Sequence, residues 1–155
     1  MTTKSLDRID KKILRAVQED GRLTNLQLAE KVNLSPTATA ERLKRLTRDG
    51  YILGYHARLS AEMLGRGMLV FVEVKLDRTT PDVFDSFADA VRRSDQVMEC
   101  HMVAGGFDYL VKARVQGMEM YRGFLSDVIL SLPGVRETHT YAVMEEVKNT
   151  SWLPV

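Results

Sequence analysis

Hydrophobic residues recur with the period of an α-helix through the first third of the chain. Residues 25–50 hold two such stretches separated by a short polar turn, and Leu26, Leu28 and Val32 mark the apolar side of the first. The second stretch is rich in arginine and lysine. A short helix, a tight turn and a basic helix in this order are typical of a helix-turn-helix, whose second helix enters the DNA major groove.

The residues at the predicted helix ends agree with this interpretation. Thr24 and Gln27 have the spacing of a capping box, T-x-x-Q. Asn33 tolerates the left-handed conformation that ends a helix. Ser35 is a good N-cap for the basic helix, and Pro36 suits its first turn, where no backbone donor is needed.

A third helix is predicted before this pair. Asp7 can cap it and Gly21 can end it, while Gly50 closes the basic helix. Its apolar side is formed by Ile9, Ile13, Leu14 and Val17. Residues 1–50 are therefore predicted to be a three-helix DNA-binding domain, with the first helix packed across the other two.

The basic helix has a predicted inner side and a predicted DNA side. At about 100° per residue, the inner side consists of Pro36, Ala40, Leu43, Leu46 and Thr47. The predicted DNA contacts are Ser35, Thr37, Ala38, Glu41, Arg42, Lys44, Arg45 and Arg48. Their cations suit phosphates, and the first turns can reach base edges. The same helix alone would also fit a solvated surface with a Glu41–Arg45 pair, but the capped helix and turn before it favour DNA binding.

Charge is distributed unevenly along the 155 residues, although the net charge is only +1. Residues 1–60 contain 12 Lys and Arg against 7 Asp and Glu, whereas residues 61–155 contain 10 against 14. A basic first part and an acidic second part are expected when one module alone contacts nucleic acid.

From residue 68 onward the hydrophobic period changes from helical to alternating. Four strands are predicted, at residues 68–76, 97–103, 108–115 and 137–147. Helices are predicted from Pro81, capped by Thr80, and over residues 118–130. The order βαββαβ predicts a ferredoxin-like α+β sandwich, with two helices on one face of an antiparallel sheet.

These patterns predict three parts of the chain. Residues 1–50 form the helix-turn-helix domain, residues 51–67 a strand or wing and a linker, and residues 68–155 the sandwich. The sheet face without helices is also predicted to be partly apolar, through Leu69, Phe71, Tyr141 and Val143. An exposed apolar sheet face usually marks an interface, so a homodimer is expected.

Few residues suit catalysis or metal binding. Cys100 and His101 are adjacent in a predicted strand, so their side chains point to opposite faces and cannot share one site. No catalytic residue and no metal ligand set is predicted. The single cysteine, the lack of a signal-peptide pattern and the short apolar runs lead us to expect a cytoplasmic protein without a membrane span.

The turn Gly105-Gly106-Phe107-Asp108 has two interpretations from its spacing alone. It can be a hairpin turn in which glycine supplies conformational freedom. Alternatively, the backbone N–H groups at the glycines can bind an α-carboxylate while Asp108 holds an ammonium group, which together describe a free amino acid. The two interpretations are about equally supported.

The chain resembles the Lrp/AsnC, or feast/famine, family of transcriptional regulators, and within it the leucine-responsive branch. The matching runs are LDRIDKKIL at 6–14, LSPTATAERLKRL at 34–46, GYILGY at 50–55, LVFVEV at 69–74, PDVFDSF at 81–87, ECHMVAGGFDYLVKARV at 99–115 and LPGVRETHTYAVMEEVK at 132–148. The resemblance implies a winged-type helix-turn-helix joined to an amino-acid-binding, ferredoxin-like domain, with no cofactor, controlling genes of amino-acid metabolism.

The same resemblance implies an assembly and an effector site. Members bind double-stranded DNA and form homodimers that often assemble into octamers, and their effector is a small amino acid such as leucine. The positions that match the effector pocket, which lies between dimers, are Met102, Ala104, Gly105, Gly106, Asp108, Met118, Tyr141, Ala142 and Val143. Ala142 is smaller than the aliphatic residue common in the branch.

Two other functions remain open from the sequence. One is a broad DNA-organising protein with a weak effector response. The other is a haem-pathway decarboxylase of similar fold, against which the arginine-rich helix argues.

Overall fold

Three helices lie in the first part of the computed structural model, which describes residues 5–155. They are α1 (Arg8–Glu19), α2 (Asn25–Val32) and α3 (Pro36–Arg48). Their shared core is apolar and consists of Ile13, Leu14, Ala16, Leu28, Val32, Leu46 and Ile52. The predicted order of three helices is confirmed, and so is the inward side of α1. Leu26, predicted to lie on the apolar side of α2, is exposed instead.

The predicted helix ends are also confirmed. Thr24 and Gln27 form the capping box of α2, and Asn33 adopts φ 57° in the left-handed region. The hydroxyl of Ser35 accepts a hydrogen bond from the backbone N–H of Ala38, and Pro36 occupies the first turn of α3. Asp7 caps α1. These local interactions set the helix boundaries before any tertiary contact is needed.

The last seven residues belong to the first unit. The chain divides into one unit made of residues up to Arg58 together with Asn149–Val155, and a second made of Leu59–Lys148. Gln18 of α1 exchanges two hydrogen bonds with the backbone of Leu153, at 3.1 and 2.7 Å. Val155 packs against the helical core. The sequence analysis predicts these residues in the sandwich domain, within residues 68–155, so the structure differs from the prediction here.

The segment after α3 differs from its prediction. Residues 51–59 contain no strand in the described chain, so the predicted strand or wing does not form there. Ile52 is buried in the helical core instead, while Leu53 is exposed. A single strand here would have no second strand in this unit to pair with. Alternating apolar residues are therefore not sufficient to form a strand in this segment.

The second unit is a four-stranded antiparallel sheet with helices packed on one face. Its elements are β1 (Met68–Leu76), α4 (Pro81–Arg92), β2 (Val97–Met102), β3 (Tyr109–Val115), α5 (Met118–Phe124) and β4 (Val135–Ala142). The strand order is β2-β3-β1-β4. This is the predicted ferredoxin-like topology. The predicted strand at residues 137–147 begins and ends earlier, at Val135 and Ala142.

The second core lies between the sheet and its helices. It contains Val70, Val72, Val74, Leu76, Phe87, Tyr109, Val111, Ala113, Val115, Phe124, Ile129 and Leu132. The predicted helix over 118–130 changes after Phe124 into a π-helical turn, Leu125–Ile129, closed by a 2.9 Å bond from Leu130 N–H to the Leu125 carbonyl. The wider turn brings Phe124 and Ile129, five residues apart, into one core.

The opposite sheet face is more polar than predicted. Leu69 is buried and Phe71 half-buried. Ion pairs lie on the same face: Lys112 contacts Glu99 at 2.7 Å, and Lys75 contacts Glu137 at 3.4 Å. Opposite charges on adjacent strands stabilise the sheet modestly. The apolar part of this face is therefore confined to a small region around Phe71.

Gly134 is a position where we expect substitution to destabilise the second unit. Its φ is +74°, and a Cβ there would lie 2.6 Å from Val83 Cγ1. Gly134→Ala should lower the free energy of unfolding by about 1–3 kcal/mol. Gly117→Ala is the control, because its φ is 179° and a Cβ would meet nothing within 4 Å. Urea unfolding of both variants tests this, and equal midpoints would contradict it.

Candidate nucleic-acid interface and effector site

Helix α3 is rotated relative to the prediction from the helical wheel. Leu46 is buried and Leu43 half-buried as predicted, but Pro36, Ala40 and Thr47 are exposed. Thr39, which was not assigned to the inner side, is fully buried. The solvent side consequently runs through Thr37, Ala40, Glu41, Lys44, Thr47 and Arg48.

Arg42 and Arg45 point toward α1 instead of outward. Arg42 donates to Asp10 Oδ1 at 2.8 Å, and Arg45 donates to the same oxygen at 2.5 Å. Asp10 is 2% exposed. Both arginines are half-buried. The prediction placed Arg45 on the outward side and Arg42 on its flank, and the structure instead pairs both side chains with α1. The alternative Glu41–Arg45 pair does not form either, because Asp10 takes the guanidinium.

Asp7 extends this charged cluster. Its carboxylate accepts from the backbone N–H of Asp10 at 2.8 Å and from Arg42 at 2.6 Å. These two hydrogen bonds hold the pKa of Asp7 below its usual value. The partnership raises the pKa of Arg42, through hydrogen bonds first to Asp7 and then to Asp10. Residues Asp7, Asp10, Arg42 and Arg45 form a cluster with balanced charge, which we call the α1–α3 clamp.

The exposed side of α3 keeps two cations. Lys44 has no ion-pair partner among the described residues. The Arg48 side chain is 72% exposed and contacts Asp49 at 2.9 Å. A groove of about 540 Å³ runs beside them, lined by Asn25, Ala40, Leu43, Lys44, Thr47, Arg48 and Tyr55. Positive charge beside a groove suits a phosphate backbone.

The Gly105–Asp108 turn connects β2 to β3 at one end of the sheet. Gly105 and Gly106 are exposed, and a Cβ at either would meet nothing within 4 Å. Asp108 Oδ2 accepts from the backbone N–H of Leu76 at 2.8 Å. The carboxylate therefore has a structural role at the end of β1, and Asp108 also lines a cleft.

That cleft has charged residues that the sequence pattern did not reveal. It measures about 420 Å³ and is lined by Lys75, Leu76, Asp77, Arg78, Thr79, Gly105, Gly106, Phe107, Asp108 and Arg136. The cations Arg78 and Arg136 come from the ends of different elements, which is why no local motif joins them. Together with the glycine N–H groups they suit a carboxylate, and Asp108 suits an ammonium group.

The nine predicted effector residues fall into two separate groups within one chain. Met102, Ala104, Gly105, Gly106 and Asp108 lie at the end of the sheet where Met102 pairs with Tyr109. Met118, Tyr141, Ala142 and Val143 lie at the other end, where Ala142 pairs with Val70. Tyr109 pairs with Val74, four residues along β1, and β2 and β4 are opposite edges. From strand rise and spacing the groups are roughly 20 Å apart.

Cys100 and His101 lie on opposite faces of β2, as predicted. Burial raises the pKa of the Cys100 thiol to about 11, so it is a poor nucleophile at neutral pH. His101 lies 3.3 Å from Glu99 on the other face. Within residues 5–155, no group of three or more potential ligands could hold a metal ion. The described helices include none with the length and apolarity to span a membrane.

Comparison with known proteins identifies both units of the chain. A family described as the Lrp/AsnC ligand binding domain matches residues 69–153, and one described as winged helix-turn-helix DNA-binding matches residues 6–52. Leucine-responsive regulatory proteins of Klebsiella pneumoniae and Escherichia coli (strain K12) are each 50% identical over 152 residues, 98% of this chain and 93% of the relative.

Two solved structures are similar over nearly the whole chain. A transcriptional regulator of Neisseria meningitidis in complex with L-Met has a TM-score of 0.92 at 39% identity, covering 97% of each chain. An AsnC family transcriptional regulator from Agrobacterium tumefaciens has a TM-score of 0.91 at 31% identity, covering 96% of this chain and 97% of its own.

A helix-turn-helix unit and a ligand-binding sandwich in one chain define a DNA-binding transcriptional regulator with its own sensor domain. The chain belongs to the Lrp/AsnC family. The predicted function, an amino-acid-responsive DNA-binding regulator, is thereby confirmed as a class. Since these relatives are regulators, the decarboxylase alternative is set aside.

Asp7 should give the first unit a specific loss of stability in acid. Its folded pKa is lower than the unfolded value of 3.8, so its contribution is complete above that value and is lost as the pH falls through the folded pKa. Asp7→Asn keeps a capping side chain but removes the charge. We expect the variant to be less stable than wild type at neutral pH, with the difference shrinking below about pH 4.

Urea unfolding across this pH range measures the difference. Asp20→Asn, an exposed change at the other end of α1, is the control. The difference in free energy of unfolding between wild type and Asp7→Asn should shrink in acid. A difference that stays constant from neutral pH to acid would contradict the role given to the Asp7–Arg42 pair.

Proposed function

We propose that this regulator binds double-stranded DNA through the exposed side of α3 and changes that binding when a small aliphatic amino acid, leucine or one of similar size, occupies the Gly105–Asp108 cleft. The observation that carries the DNA-binding part is a capped helix-turn-helix whose second helix presents Lys44 and Arg48 to solvent. The charged cleft beside the glycine turn carries the effector part.

Residues of α3 divide into two kinds of DNA contact. Ser35, Thr37, Ala38 and Glu41 lie in the N-terminal half, which in a docked recognition helix is nearest the base edges. Lys44 and Arg48 lie nearer the C-terminal end and suit phosphates. Arg42 and Arg45 are not proposed as contacts here, because both are engaged by Asp10.

An amino-acid effector fits the chemistry of the cleft. Its α-carboxylate can accept from the N–H groups at Gly105 and Gly106 and pair with Arg78 or Arg136, and its ammonium group can pair with Asp108. The relatives named leucine-responsive and the neighbour solved with L-Met support an apolar side chain of four or so heavy atoms. Leucine and methionine are both of that kind.

The separation of the two effector groups supports an assembly. A single amino acid cannot touch residues roughly 20 Å apart, so the Met118–Val143 group of one chain would complete the cleft of another. We propose homodimers that assemble further, to an octamer of four dimers as the family resemblance implies. Two-fold related helices would also match two DNA half-sites.

Arg48→Ala should weaken binding to all DNA sequences. Loss of one phosphate contact is expected to reduce the slope of log affinity against log salt by about 0.9. Arg92→Ala is a matched control, because Arg92 is also 72% exposed and also paired with an aspartate, Asp89, but lies on α4. Electrophoretic retention at several salt concentrations measures both slopes. Equal slopes for the two variants would show that this side of α3 does not meet DNA.

Asp108→Asn should remove the amino-acid response without removing DNA binding. The amide oxygen can still accept from Leu76 N–H, so the end of β1 is preserved, but it has no charge for an ammonium group. Calorimetric titration with leucine and methionine should show a loss of about tenfold or more, as for a charged hydrogen bond. Asp77→Asn, a change of another carboxylate in the same cleft, is the control. Unchanged affinity in Asp108→Asn would place the site elsewhere.

A mixing experiment separates the two halves of the proposed site. Ala142→Trp should block the second group while leaving Asp108 intact. When Asp108→Asn and Ala142→Trp chains are mixed and allowed to reassemble, some clefts combine two unchanged halves, so part of the binding should return. Binding that stays absent in the mixture would contradict a site shared between chains.

A further inference from the structure

Helix α3 has little apolar packing to hold its rotation. Leu46 is the one apolar side chain that its described residues bury fully, while Leu43 is half-buried. The other buried residue, Thr39, uses its hydroxyl to bond the Ser35 carbonyl at 3.0 Å within the same helix. Asn25 of α2 also donates to the Pro36 carbonyl at 2.8 Å, which holds the first turn of α3. Farther along the helix the core contacts are apolar, and such contacts restrain rotation about the helix axis only weakly because they are non-directional.

The α1–α3 clamp supplies a directional restraint on the rotation of α3. Arg42 and Arg45 are three residues apart, so they leave α3 on one side. Both reach the same oxygen of Asp10. A guanidinium has a rigid donor geometry, and a carboxylate that is 2% exposed has no water to substitute for either donor. Any rotation of α3 would break one of these bonds.

We propose that Asp10 is a positioning residue for DNA recognition: it fixes which side of α3 faces DNA and therefore sets sequence specificity without touching DNA. The inference rests on the DNA side proposed above. It also explains why two arginines that look like DNA contacts in the sequence are turned away. With Asp7 and Asp10 matched by Arg42 and Arg45, the cluster adds no net charge to the DNA surface.

Removing the Asp10 charge should therefore lower the sequence specificity of DNA binding and strengthen the attraction to DNA of any sequence. In Asp10→Asn a neutral amide oxygen replaces the carboxylate that compensates two guanidinium charges, so both bonds weaken, α3 can turn and at least one arginine is released toward phosphates. Preference for a specific duplex over random DNA should fall at least tenfold, about the loss of one base contact. The salt slope on random DNA should steepen by roughly 0.9 for each arginine released.

The experiment uses the full chain and two DNA probes. One is a duplex selected from a random pool by the wild-type protein, and the other is a random-sequence duplex of the same length. Retention assays at several salt concentrations give the preference and the slope for wild type, Asp10→Asn and the control Asp20→Asn, in which an exposed aspartate of the same helix changes. Circular dichroism measures the folded fraction.

Arg45→Gln keeps the inference testable if Asp10→Asn folds poorly. Asp10 then still has Arg42 at 2.8 Å, so its charge stays compensated. We expect a reduced preference with an unchanged salt slope, since Arg45 is not a phosphate contact in wild type.

Three results would overturn the inference. The first is that Asp10→Asn prefers the selected duplex as strongly as wild type does. The second is that its affinity falls equally on both duplexes while the salt slope stays unchanged. The third is that Arg45→Gln has a shallower salt slope than wild type. A wild-type protein that selects no duplex from the pool would instead overturn the proposed function, on which the inference depends.

Discussion

A carboxylate buried between two helices needs positive charge beside it, and in the helix-turn-helix unit that charge comes from α3, the helix that we propose faces DNA. Asp10 takes both Arg42 and Arg45. Removing one partner of a buried charge leaves the other uncompensated, which typically costs about 3–5 kcal/mol. The contact therefore keeps Arg42 and Arg45 on the α1 side of α3, and leaves Lys44 and Arg48 as the cations on its exposed side.

A different constraint governs the second unit. Antiparallel pairing in the order β2-β3-β1-β4 places the Gly105–Asp108 turn and Ala142 at opposite ends and opposite edges of the sheet. Residues that the family resemblance joins in one pocket are thus separated by the fold itself. A pocket made of both groups would require a second copy of the chain. Ligand binding in the proposed site would then be linked to assembly, because a ligand that binds only the assembled state favours it.

The sequence was sufficient where short-range physics decides the outcome. Thr24, Ser35 and Asp7 act on their own helix turns, so the caps could be predicted, and the alternation of Val70, Val72 and Val74 needs only the sheet period. It was insufficient where distant residues compete. The clamp joins residues 35 positions apart along the chain, the tail returns from residue 149 to α1, and the cleft cations come from separate elements. A helical wheel treats every arginine as solvated and cannot include a buried aspartate from another helix.

The chain connects the two units covalently at two places. The units are joined twice, near Arg58 and near Asn149, and both connections lead into the first unit. The second ends on α1, where Gln18 holds the backbone of Leu153 and Arg15 donates to the Val155 carbonyl at 2.7 Å. Two turns earlier the same helix carries Asp10. A ligand can shift DNA binding only through a free-energy difference between two states, typically about 1–3 kcal/mol.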